Sequence, residues 1–151
     1  MKTQIIILLI ASVFLVNCQQ AKSDSQIFTL NGINGDANEQ SITAEVGKVI
    51  IIKIRANPTT GYQVFLANGL SDLESRGVVK ALNVNQDGGC DEYKQDKRKA
   101  PMVGVPGYYY FKFSSKNVGE VPLIFESKRV WDPSDATALK INLTVVKGSK
   151  N

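Results

Sequence analysis

The 151-residue chain is 43% hydrophobic and 21% charged, a composition that fits one folded domain with room for a core and excludes a disordered chain. Its net charge of +4 is too small an excess to argue for nucleic acid. The absence of histidine removes the Ser-His-Asp and Cys-His nucleophile pairs and every His-ligated metal site.

The first four residues are polar with one cation, Lys2; residues 5–16 are apolar apart from Ser12, and 17–20 are polar again. This is the shape of a secretory signal peptide, and the apolar run is short for a bilayer span. Residues 1–18 are therefore assigned to a signal, with cleavage expected after Cys18, and residues 19–25 to a polar leader. The expected destination is the secretory pathway, as a secreted or lysosomal or vacuolar protein with no stable membrane insertion once the signal is removed. A rival reading is a lipoprotein signal lipidated at Cys18; Asn17 fits it poorly, because a small Gly or Ala is usual there.

The remainder, residues 26–147, reads as strands, with a polar tail at 148–151. Residues 27–30 open the pattern, and a turn-rich stretch follows at 31–36. Residues 41–46 alternate apolar and polar with period two, as a half-buried strand does. Gly47-Lys48 turns the chain into 49–56, an almost continuously apolar run suited to a central strand. Asn57-Pro58-Thr59-Thr60-Gly61-Tyr62 is then a loop: Pro58 fixes its own φ and extends Asn57, and Gly61 permits a positive φ. Its tip carries no charge, which suits entry into a partner's cleft without burial of an unpaired ion. By itself the hexapeptide is better read as an ordinary connecting loop. The pattern resumes at 63–66.

Residues 68–99 are the least regular. A strand is expected at 78–84. The run with Lys94, Lys97, Arg98 and Lys99 reads as a solvated face or as a steering patch toward an acidic partner. Cys90 has no intrachain disulfide partner once Cys18 is removed, and its Asp-Gly-Gly neighbours suggest an exposed turn where intermolecular pairing is a liability. Residues 100–107 form a second uncharged loop rich in Gly and Pro, including Gly104, Val105, Pro106 and Gly107. A β-favouring run follows at 108–114, whose tyrosines should alternate between the two faces of one strand. Residues 117–120 turn, and 121–127 form another strand with Pro122 near its start. Residues 128–135 form a third loop holding Arg129, Val130 and the single Trp131, whose neighbours argue for exposure. Residues 139–146 alternate cleanly; Asn142 begins a glycosylation sequon and should face solvent.

Short strands with turn signals between them, and no convincing amphipathic helix, describe an all-β sandwich. Alternate connections in a sandwich emerge at one end, so three such loops would make a binding edge.

Taken together the three loops resemble those of the chagasin-type inhibitors of papain-like cysteine peptidases. Asn57-Pro58-Thr59-Thr60-Gly61-Tyr62 resembles their signature loop, Gly104-Val105-Pro106-Gly107 their Gly-rich second loop, and Arg129-Val130-Trp131 their third, usually Arg-Pro-Trp. The likeness covers residues 26–147. It implies an immunoglobulin-like β-sandwich of about seven to eight antiparallel strands with three binding loops at one end. It also implies reversible, non-covalent inhibition of cathepsin L/B-like enzymes by a monomer that is not an enzyme and needs no cofactor or metal. By position Thr59 and Thr60 would sit nearest the peptidase cysteine. Pro58 and Gly61 would hold the loop's shape, and Tyr62 would anchor its base or touch the cleft wall. Gly104 and Gly107 would let backbone approach backbone, and Trp131 and Arg129 would be the large contacts. Pro106 and Val130 depart from the family pattern: the first removes a donor, the second leaves the third loop looser. The competing reading is an immunoglobulin-like adhesion or cell-surface module using the same loop end.

Overall fold

A computed structural model describes residues 25–33, 39–96 and 104–149. The expected signal at 1–18 with Cys18, most of the leader, Lys97, Arg98, Lys99 and the first part of the second loop lie outside these residues. The described strands are β1 (Ser25–Leu30), β2 (Glu39–Glu45), β3 (Val49–Ala56), β4 (Tyr62–Leu66), β5 (Val79–Ala81), β6 (Tyr93–Gln95), β7 (Gly107–Ser115), β8 (Gly119–Arg129) and β9 (Asp132–Val146), with a short helix α1 (Leu70–Ser75) between β4 and β5. One sheet runs β1-β3-β7-β5 with β6 also on β7; the other runs β2-β9-β8-β4.

The two sheets close on one core because their strands alternate. Ile50, Ile52 and Ile54 of β3 face Phe111 and Phe113 of β7 across the ladder, and Val121, Leu123 and Phe125 of β8 come from the other sheet. Phe111 and Phe125 meet edge-on across the layers, with ring centroids 4.8 Å apart. The buried side of β9, from Leu139 through Val145, completes the layer. The tyrosines of β7 divide as expected: Tyr109 is buried, whereas Tyr108 and Tyr110 face outward.

Three expectations are corrected. The sandwich has nine described strands, and not all pairings are antiparallel: β1 lies parallel to β3 and β2 parallel to β9. The turn at 46–48 carries the chain from the sheet of β2 to the sheet of β3, so these consecutive strands do not pair with each other. Buried Ser115 pins that turn, its hydroxyl accepting from the Lys48 amide at 3.0 Å. Second, the strand expected at 78–84 ends at Ala81. Beyond it the Asn83 side chain replaces the backbone ladder, accepting from Lys112 N at 2.8 Å and donating to Tyr110 O at 2.7 Å. Third, α1 forms where no helix was expected; its six residues are too few to show periodicity, and it is held by Leu73, which is fully buried.

Cys90 is not on an open turn. It bridges to Val84, is half-buried, and its thiol reaches Tyr110 O at 3.2 Å. Burial pushes its pKa up, which disfavours the reactive thiolate. Asn142 lies on the outward side of β9, half-buried, with its amide donating to Glu39.

Candidate functional site

Loop 1 joins β3 to β4 and is a single 3-10 turn, Pro58–Thr60. Asn57 builds it. Its Oδ1 accepts from the Thr59 amide at 3.3 Å and from the Thr59 hydroxyl at 2.6 Å. Its carbonyl accepts from the Thr60 amide at 3.1 Å and from the Thr60 hydroxyl at 2.7 Å. Both exposed threonines thus turn their hydroxyl protons inward, which leaves the methyl groups as the free part of each side chain. Gly61 closes the turn with φ +86°, in the left-handed region.

Two ties hold this turn from either side. Toward loop 2, the Asn57 amide donates to the Gly104 carbonyl at 3.1 Å. Toward loop 3, the Trp131 indole lies so close over Gly61 that a Cβ there would stand 2.8 Å from its Cζ2. Glycine at 61 is therefore required twice, for the backbone and for the tryptophan. Tyr62 adds a second tie: its hydroxyl donates to the Asp135 carboxylate, and the Arg129 guanidinium lies 4.6 Å from its ring centroid. Arg129 also pairs with Asp135 at 3.6 Å. Donation to Asp135 holds the Tyr62 proton and raises its pKa.

Loop 3 is a tight hairpin and not the open loop that 128–135 suggested. Arg129 pairs with Asp132 across the two-residue tip Val130-Trp131. The strands then fall out of register, since Ser127 next meets Thr137. Residues 133–136 bulge from β9, started by Asp132, whose carboxylate accepts from the Ser134 amide and hydroxyl. Those bonds hold the Asp132 carboxyl below its usual range. The bulge is what brings Asp135 over Tyr62. Asp135 was not among the residues singled out from sequence. A solitary Asp after Pro-Ser carries no signal until the bulge folds it back. Trp131 and Val130 stand 71% and 63% exposed, large apolar groups left in water at the tip.

Loop 2 is described from Gly104 onward. Gly104 is exposed and Val105 and Pro106 are half-buried. Gly107 is buried inside the β7 ladder, opposite Ala56 and Gln95. A Cβ at 107 would stand 2.5 Å from the Tyr93 hydroxyl, so its smallness serves packing within the sandwich. Pro106 lacks a donor but its carbonyl still accepts from Asp96 N at 3.1 Å.

The thirteen residues thus divide. Asn57, Gly61, Tyr62 and Arg129 join the loops to one another; Pro58, Thr59, Thr60, Gly104, Val130 and Trp131 are offered on the shared edge; Val105 and Pro106 line its base and Gly107 lies beneath it. The edge holds no nucleophile with an activating base. It is a stiff, nearly neutral ridge.

The family model described as chagasin family peptidase inhibitor I42 matches residues 43–145. No curated protein matches the chain in sequence. Among solved structures the fold is similar to that of amebosin, at 21% identity and a TM-score of 0.52, covering 82% of this chain and 98% of that one. It is similar to PbICP-C, solved in complex with falcipain-2, at 18% identity and TM-score 0.52, covering 80% and 99%. It is also similar to the cysteine protease inhibitor EhICP2 from Entamoeba histolytica, at 18% identity and TM-score 0.51, covering 82% and 96%.

Proposed function

We propose, since the chain belongs to the chagasin family of peptidase inhibitors, that it inhibits papain-like cysteine peptidases by seating loop 1 in the catalytic cleft, with loops 2 and 3 against the cleft walls. It is an inhibitor and not an enzyme. The observation that carries the mode of action is the double tie of loop 1, through Asn57 to Gly104 and through Gly61 and Tyr62 to Trp131 and Asp135. A ridge already fixed in the free protein loses little entropy on binding, and this is where much of the affinity of a small convex edge originates. Thr59 and Thr60 enter nearest the peptidase cysteine as methyl-bearing, uncharged groups. Trp131, with Val130 beside it, is the apolar anchor, and the exposed Gly104 carries the backbone approach of loop 2. The complex of PbICP-C with falcipain-2 supports a papain-like partner. Targets of the cathepsin L and B type, a monomeric inhibitor and delivery through the secretory pathway complete the proposal; the signal-like residues 1–18 support the last of these.

Titration of the protein against papain and a cathepsin L-like enzyme, followed with a fluorogenic peptide, tests this reading. The expected result is tight, reversible inhibition with the inhibitor left uncleaved. Replacement of Thr59 and Thr60 by arginine should abolish inhibition and leave the fold intact; retained inhibition by that variant sinks the wedge.

A further inference from the structure

The outer faces of the two sheets carry opposite charge. Lys53 and Arg55 of β3, Lys80 of β5, Lys94 of β6 and Lys112 of β7 stand at outward positions, and those strands place no carboxylate there. Glu92, just ahead of β6, pairs with Lys94 at 2.7 Å and with Lys112. Lys53 is held over the Tyr108 ring, 3.9 Å from its centroid. Among the described residues Arg55, Lys53 and Lys80 have no ion-pair partner. The opposite sheet presents Glu39, Glu45, Glu120 and Glu126 against Lys128 and Lys140.

The cationic face reaches the binding ridge. Its last row is Arg55, Tyr108 and Lys94, paired across three adjacent strands. Neighbouring strands lie ~4.8 Å apart, so the two cations flank Tyr108 with their stems about 10 Å apart. Arg55 lies two positions before Asn57, and Lys94 sits beside Gly107 at the base of loop 2. Arg55 also lines an open groove of about 320 Å³ together with Asn57, Tyr62 and Pro106. On the other flank Arg129 is already matched by Asp135, and Asp132 adds a further negative charge. The ridge is thus cationic on the loop 2 side, neutral at the tip, and slightly acidic on the loop 3 side.

We infer that Arg55 and Lys94 form a second contact site, which takes an acidic stretch of the peptidase bordering its cleft on the loop 2 side. The inference rests on the inhibitor reading above and adds the chemistry of the preferred target. Arg55, on a paired strand with no carboxylate of its own, is pre-positioned for one on the partner, and Lys94, which Glu92 holds at 2.7 Å, adds its charge on the other side of Tyr108. Complementary rims of this kind act mainly on encounter, raising association rates by ~10- to 1,000-fold at low salt, and are screened as salt rises.

The test compares two papain-like peptidases, one with carboxylates and one with cations bordering the cleft. Association and dissociation rates are measured at low and high salt for the unsubstituted protein, for Arg55→Glu with Lys94→Glu, for the milder Arg55→Gln with Lys94→Gln, and for Lys80→Glu at the far end of the same face. Thermal unfolding of each variant confirms its fold, and the glutamine pair serves if the reversal unfolds. The expected result is association with the acid-rimmed enzyme slowed about tenfold or more at low salt. That gap should close at high salt, with a smaller effect from Lys80→Glu and no slowing with the cation-rimmed enzyme. Charge-independent rates in a protein that still inhibits overturn the second contact alone. Equal slowing by Lys80→Glu, or with both enzymes, overturns it too, since the effect is then one of net charge. Failure of the unsubstituted protein to inhibit either enzyme overturns the inhibitor reading, and this contact with it.

Discussion

Asn57 is the residue on which the ridge depends most. It shapes its own turn through Oδ1 and its carbonyl, and reaches the neighbouring loop through its amide. Aspartate at 57 separates the two duties: the acceptor remains and the donor to Gly104 is lost. Asn57→Asp should therefore keep loop 1 folded and free loop 2, with stability lowered by no more than ~1 kcal/mol because the lost bond is exposed. Inhibition should weaken about tenfold, chiefly through faster dissociation; an unchanged inhibition constant would remove that bond from the mechanism. Gly61→Ala should act on the other side. An added methyl at a left-handed position costs ~1–2 kcal/mol and here also collides with the indole ring. Trp131 is the only tryptophan, so a change in its emission in the free protein would report its displacement directly.

At the scale of the element, the long strands were legible, whereas the short β5 and β6 and the irregular joints were not. The clean alternation of 108–114 and 139–146 fixes which side chains face the core, because a period of two leaves no freedom once one face is buried. The loop 1 turn was legible too, since Pro58 restricts the backbone locally and Gly61 permits the left-handed exit. The bulge at 133–136 was hidden, because it depends on where β8 stops pairing and not on any residue preference of its own. So was Asn83, whose amide stands in for a ladder that only β7 reveals. Gly107 shows the limit of position-by-position transfer: it reads as a flexible loop residue and is a packing glycine under Tyr93. Gly107→Ala should overpack the start of β7, at a cost of ~1–3 kcal/mol. Thermal unfolding measures that cost, and unaltered stability would mean that Tyr93 has room to move.

For the whole molecule, the absence of histidine sets the pH response. No side chain with an ordinary pKa titrates between about 5 and 8, and the half-buried thiol of Cys90 is pushed upward, away from that window. The shifted carboxyls lie below it. Glu92 is lowered by Lys112 and Lys94, Glu39 by Lys140 and Asn142, and Asp132 by Ser134. A carboxyl lowered in the folded state stabilises fully above its unfolded value, 4.5 for the glutamates and 3.8 for the aspartate, and that contribution is lost as pH falls through the folded value. The melting temperature should therefore be flat from about pH 8 to 5 and decline below pH 4.5; a decline beginning near pH 6 would contradict this account. The bond between Tyr62 and Asp135 bears on descent as well. Neither partner lies in the core, and with Asp135 gone the Tyr62 hydroxyl loses its acceptor while its ring keeps only the Arg129 contact. Lineages in which position 135 has ceased to be acidic should show phenylalanine at 62 more often than tyrosine. The gain and loss of that pair along a family tree would date when the ridge became rigid.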